Sequence, residues 1–277
     1  MPRTTLALTS FVSGEFSPKM DGRTDFDKYS SGAKTLENFL VHPQGAATRR
    51  VGTQFIAEVK SSAAKTRLIP FEFSTTQTYI LEFGNTYIRF FKDKGQILAG
   101  NGSPYEISSP YLTAELFELK FAQSADVMFI THPNHEVMKL SRTGHTSWTL
   151  VECPFTDGPY LPPNTSATTI TPQQAAAATG KTLTLSAVTG VNGGVGWLAT
   201  DVGRIVSFNG GKAKITARTN ATVAVATITT AFTNTNAIAD FKLGAFSDTT
   251  GHPSCVSFFE QRLVFAGTID EPQTLYF

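Results

Sequence analysis

"RLIPFEFSTTQTYILEFGNTYIRFF", residues 67–91, sets an apolar run, a polar turn, a second apolar run, a Gly84-Asn85 turn and a third apolar run in series. Short runs rich in Ile, Phe, Tyr and Leu, closed by Gly, Asn, Ser and Thr, read as antiparallel strands joined by tight turns. The same order returns in "LKFAQSADVMFITHPNHEVMKL", residues 119–140, with a Pro133-Asn134 turn. It returns again in "VSFFEQRLVFAGTIDEPQTLYF", residues 256–277, with Asp270 to Pro272 at the equivalent place. A fainter relative, "ENFLVHPQGAATRRVGTQFIAEV", covers residues 37–59. The second turns fall near residues 44, 84, 133 and 270. Intervals of about 40–50 residues are the period of propeller blades; the last interval is nearly three times as long.

The fold expected is therefore mainly β, a propeller-like array of antiparallel blades in which each sheet buries its faces against neighbours. Regular alternation of strand and helix is missing, which excludes a doubly wound α/β fold. One short N-terminal helix is expected between Thr24 and His42: Tyr29, Ala33, Leu36 and Leu40 recur at helical spacing, and Thr24 with Asp27 resembles a capping box. Residues 1–24, with Gly, Ser and Pro and no periodicity, read as an extended arm.

The wide interval has its own composition. From about Pro159 to Ala245 the chain is rich in Thr, Ala and Gly, with few charges and few large aromatics. Within it "KTLTLSAV", "GRIVSFNGGKAKITART" and "ATVAVATITTAF" read as strands, and "NGG" at 209–211 as a hairpin turn. A small β-barrel or sandwich inserted into the array, reached through "DGPYLPPNTS", accounts for this. The division expected is an arm over 1–24, helix and blade-like repeats over 25–158, an inserted β-module over 159–245, and a return to the array over 246–277. The first two units continue through "KDKGQILAG" and "SRTGHTSWTL", whereas the third stops at Phe277. The pattern is expected to continue past Phe277, or another chain to cover that edge.

Charge narrows the function. Charged residues make up 16% of the chain and the net charge is +1, so the clustered basic excess of a tight nucleic-acid binder is missing. No apolar run reaches the length of a membrane span. The opening "MPRTTLALTSFVSGEF" lacks the continuous apolar core and small-residue cleavage site of a signal peptide. Cys153 and Cys255 fit no metal or redox spacing and read as reduced core thiols near the two seams of the insertion. His132 and His135, in "THPNHE", sit at a hairpin turn with no third ligand identifiable nearby. No G-x-S-x-G elbow occurs, and the serines around His145 have no special context. Acidic residues such as Asp93, Asp126, Asp157, Asp270 and Glu271 are scattered on turns. "GVNGGVG" at 190–196 lacks the setting and the lysine of a phosphate loop, and "TRRVG" at 48–52 reads as a surface pair. Neither a catalytic site nor a cofactor is expected.

The N-terminal stretch "FVSGEFSPKMDGRTDFDKYSSGAKTLENFLVHPQGAATRRVGTQF" resembles the opening of the tail nozzle, or tail hub, proteins of short-tailed bacteriophages (tail tubular protein B-like). Those proteins carry a G-E-[LF]-S-P-x-[LM]-x-G-R-x-D stretch, then a helix and an Arg-Arg-Pro-Gly-Thr element. Gly14, Glu15, Phe16, Ser17, Pro18, Gly22, Arg23, Asp25, Arg49 and Arg50 match, and Val51 stands where Pro is usual. The stretches at residues 68–91 and 248–277 resemble two further signatures of the group. The resemblance implies a structural protein of the virion tail, assembled in the bacterial cytoplasm, with no enzymatic activity, cofactor or membrane insertion of its own. It implies a homo-oligomeric ring, a hexamer, that meets portal-adaptor ring proteins and tail fibres or spikes. On that resemblance, viral DNA is expected to be retained above the ring and later to slide through its lumen without tight binding. The matched residues are then candidates for a subunit interface. A carbohydrate- or receptor-binding propeller of adhesin type is the competing expectation; a glycan-degrading enzyme rests on fold analogy alone.

Overall fold

Strands joined by tight turns make up most of the regular structure of residues 7–277, which the computed structural model describes. No helical element among them exceeds five residues. None is long and apolar enough to cross a membrane. The chain divides into two compact units, the second beginning at Ile56.

In the first unit β1 (Gly14–Glu15) pairs in parallel with β2 (Gly32–Ala33), and β3 (Phe39–Val41) forms a hairpin with β4 (Ala47–Arg49). Of the expected arm, residues 1–6 lie outside the described residues. Residues 11–16 run beside 31–45: Phe11 N–H donates to Gly45 O at 2.8 Å, Ser13 N–H to Ser31 O at 3.0 Å and Phe16 N–H to Ala33 O at 3.0 Å. The helix expected between Thr24 and His42 does not form. Only Asp27–Ser31 coils, as a 3-10 turn capped by Phe26 without a side-chain hydrogen bond. Leu36 lies outside regular structure and Leu40 in β3. Ser30, Ser31 and Gly32 are poor helix formers in mid-window. Gly32 also lies flat under the Phe16 ring, where a Cβ would meet ring atoms at 2.2 Å. Tertiary contact overrides the spacing.

The second unit opens with a meander of β5 (Arg67–Glu72), β6 (Thr78–Gly84), β7 (Tyr87–Lys92) and β8 (Gly95–Gln96), with β9 (Glu106–Ser108) also on β7. Pro70 is tolerated because β5 is an edge strand. At the β6–β7 turn the Tyr87 ring occupies the space where a Cβ on Gly84 would stand, and its hydroxyl donates to the buried Glu82 carboxylate at 2.6 Å. A second meander follows, β10 (Lys120–Ser124), β11 (Val127–His132), β12 (His135–Gly144) and β13 (Ser147–Glu152), in that spatial order. The two meanders share one core, centred on Trp148, which stacks on Phe90 at 4.4 Å and meets Phe71 edge-on at 4.8 Å.

Strands β14 (Ile170–Pro172), β15 (Ala178–Leu185), β16 (Ile205–Phe208), β17 (Gly211–Arg218), β18 (Val223–Thr230) and β19 (Phe241–Leu243) form one sheet in the order β14-β15-β18-β17-β16-β19. Ile170 and Ile238 exchange backbone hydrogen bonds of 2.9 and 3.0 Å. The segment before β19 thus closes back on β14, and the sheet curls into a half-barrel. Its core holds Trp197, Leu183, Val206, Ile215 and Phe241. The chain reaches and leaves this sheet side by side: Leu161 N–H donates to Leu243 O at 2.8 Å, and Ala245 N–H to Pro159 O at 2.9 Å. Below it lies a fully buried ion pair, Arg204 Nη1 to Asp201 Oδ1 at 2.8 Å. Arg204 Nε also donates to Gly244 O at 2.8 Å, and the Thr249 hydroxyl to Asp201 at 2.9 Å.

The last sheet comprises β20 (Cys255–Phe259), β21 (Arg262–Ala266) and β22 (Leu275–Tyr276). Phe265 and Tyr276 pack with Phe155 and Phe246 in a third, smaller core. Both cysteines are free; Cys153 is half-buried, but Cys255 is exposed on β20 and is not the core thiol expected.

Candidate functional site

The motif residues of the first unit hold its turns. Gly14 takes φ +67°, a left-handed conformation that suits glycine. The Glu15 carboxylate accepts the Leu36 N–H at 2.8 Å. Phe16 stacks on Tyr29, with ring centroids 5.5 Å apart. The Ser17 hydroxyl accepts the Lys19 N–H and caps the 3-10 turn Pro18–Met20, which begins with Pro18, the favoured first residue. Gly22, at φ +77°, donates its N–H to the Tyr29 hydroxyl at 3.1 Å. Arg23 grips Asp25 through Nε and Nη2, both at 2.7 Å, and holds that carboxyl below its usual range. Arg50 Nε bonds Asn38 Oδ1 at 2.7 Å. Arg49 lies exposed on β4.

These contacts fix the backbone yet bury almost nothing. Among residues 7–55 Gly45 alone is buried. Apolar side chains stand in solvent instead: Leu40 and Phe39 on the hairpin, then Val51 at 84% and Phe55 at 77% exposure. Ordering a backbone costs about 1–2 kcal/mol per residue, and hydrophobic burial is the main term that offsets it. Two 3-10 turns, two short strand pairs and surface hydrogen bonds supply little of that.

A second arrangement lies in the second unit. A cavity of about 330 Å³ is lined by Glu136 of β12, Glu152 and Cys153 near the end of β13, Lys214 of β17, Gly203 and His252. Strand register brings the acids together: Glu152 faces Met138 across the ladder, two residues from Glu136 on the same face. Burial pushes the Glu136 carboxyl up to about 7, helped by a hydrogen bond and negative charge from Glu152; Lys214 pulls the other way. Lys214 Nζ lies 3.7 Å from Glu152 Oε2. Gly203 leaves room for the acid, since a Cβ there would lie 3.1 Å from Glu136 Oε1. His252 Nε2 is 3.0 Å from Asp248 Oδ1. A carboxyl protonated near neutrality beside a carboxylate can share and release a proton. The sequence offered no sign of this pair, because only the ladder aligns positions sixteen apart.

His132 and His135 flank the Pro133-Asn134 turn and pair with each other across β11 and β12. The third group that the sequence did not reveal is Glu115, whose Oε2 lies 2.9 Å from His135 Nε2. The scattered acids on turns do not converge with them; Asp93, for example, pairs with Lys92, and Asp157 with Lys212. Compared with known proteins, the chain matches no family model and no curated sequence, so its function is read from its own residues.

Proposed function

We propose that the chain is a structural virion protein without enzymatic activity, a subunit of the ring-shaped nozzle of a short phage tail that retains the genome and releases it at infection. The observation that carries this reading is the first unit: its turns are held by the residues of the nozzle-like motif, while among its described residues apolar side chains such as Phe39, Leu40, Val51 and Phe55 are exposed. Such a unit is suited to folding against a neighbouring subunit. Heterologous contacts of that kind generate a closed ring when the rotation closes, and a hexamer is the ring proposed. Portal-adaptor proteins above, fibres or spikes beside, and DNA in the lumen are the partners the reading supplies. The near-neutral net charge of +1 suits a lumen through which DNA slides.

Three consecutive-strand sheets with packed faces, β5–β8, β10–β13 and β20–β22, support a propeller-like array, and the half-barrel over 170–243 supports an inserted module between about 159 and 245. The glycan-binding alternative needs aromatic platforms on loop tips, and neither tryptophan provides one: Trp148 and Trp197 are both buried. Replacing Val51 and Phe55 together by Asp tests the proposal. Assembly measured by sedimentation is expected to fail while the unfolding transition of the second unit is unchanged. Unaltered assembly would remove the support the first unit gives.

A further inference from the structure

We propose that Glu115, Glu118, His132 and His135 form a binding site for one first-row divalent cation of the zinc class, independent of the nozzle reading. Two pairs at i, i+3 spacing meet here, one acidic and one imidazole. One ligand atom each from Glu115, His132 and His135 lies within 4.8 Å of the others; the exposed Glu118 stands outside that group and would swing in to complete it.

His132 is the anchor. It is fully buried, and its Nε2 has no hydrogen-bond partner. Glu118 Oε2 lies 3.3 Å from that nitrogen, out of line for a hydrogen bond. A nitrogen and a carboxylate oxygen at this separation match the edge of a tetrahedral zinc site, about 3.3–3.5 Å for bonds of about 2.0–2.1 Å. Glu115 Oε2 and His135 Nε2, now hydrogen-bonded at 2.9 Å, would open by a few tenths of an ångström to admit the ion.

The supports are rigid. The histidines sit on a hairpin, and Glu115 is oriented by the Leu112 N–H at 2.8 Å. Arg67 Nη1 holds the carbonyls of Leu116 and Leu119, at 2.8 and 2.9 Å, and so fixes the turn that carries both acids. The exposed Glu118 gives the ion an approach from solvent. Asn134 N–H lies 3.2 Å from His132 Nδ1. That contact keeps the ring proton on Nε2 in the free protein; uptake of the ion at Nε2 moves that proton to Nδ1, which then no longer accepts from Asn134 N–H. Two imidazoles with two carboxylates select zinc-like ions over magnesium or calcium, which prefer oxygen alone.

The test is titration of the chelator-stripped protein with Zn2+ by calorimetry and with Co2+ by visible absorption. One equivalent of Zn2+ is expected, with Co2+ giving the d–d absorption of a four-coordinate site and Zn2+ displacing it. Glu115→Gln and His135→Gln, both at half-buried positions, are each expected to weaken Zn2+ binding by at least about 10-fold, with near-UV circular dichroism unchanged. Absence of stoichiometric Zn2+ binding by the unaltered chain would overturn the site. So would a folded E115Q/H135Q double variant that binds Zn2+ as tightly as the unaltered chain.

Discussion

Glu136 holds its proton to about pH 7 in the folded chain, whereas a free glutamate releases it near 4.5. Between those values the folded state binds a proton that the unfolded state has lost, so stability falls as pH rises through the window. Glu136→Gln keeps the hydrogen bond to Glu152 without the charge. Its melting temperature is expected to match the unaltered chain at the acid end of the window, to gain on it as pH rises, and to hold that gain above pH 7. Parallel melting profiles would show that Lys214 already offsets the negative charge of Glu152 and Asp248 around Glu136. Asp201 is a harsher case. Asp201→Ala leaves the Arg204 guanidinium buried and unpaired, and is expected to cost about 3–5 kcal/mol in urea denaturation. A loss below about 1 kcal/mol would mean that water reaches the arginine. Neither group was legible in "TDVGRIV", because sequence shows charges without their burial. Glu115 was hidden for a related reason: it lies in an aperiodic stretch, and only the fold carries it to the His132 turn.

The strands were the legible elements. Alternation along β5 and β17, and turns such as Asn209-Gly210 at φ +48° and +70°, are local chemistry that a sequence displays. The 24–42 helix misled because four apolar residues at helical spacing outweighed Ser30, Ser31 and Gly32, and because the Phe16 ring that flattens Gly32 comes from elsewhere in the chain. At this scale the half-barrel makes its own prediction. Tyr160 and Gly244 pair directly, so excising 161–243 and closing the gap with a two-residue turn should leave the other three sheets of the second unit folded. Chemical denaturation is expected to retain one cooperative transition at a lower midpoint, since the Arg204 bond to Gly244 is lost. Loss of cooperativity would make the half-barrel integral to the sheets beside it.

At the scale of the whole chain, the described residues of the second unit form three apolar cores and those of the first form none. The sequence displayed the motif of the first unit but not its lack of burial, because exposed Val51 and Phe55 look like core residues until the chain is folded. Limited proteolysis of the isolated chain should cut before Phe55 well ahead of the sheets, and assembly should protect the same sites. Equal cutting in both states would leave the exposed apolar side chains without a covering partner. We propose that such chains cover one another in a ring. Electron microscopy of the purified protein at high concentration is then expected to show closed rings with sixfold averages; single chains at every concentration would contradict the ring.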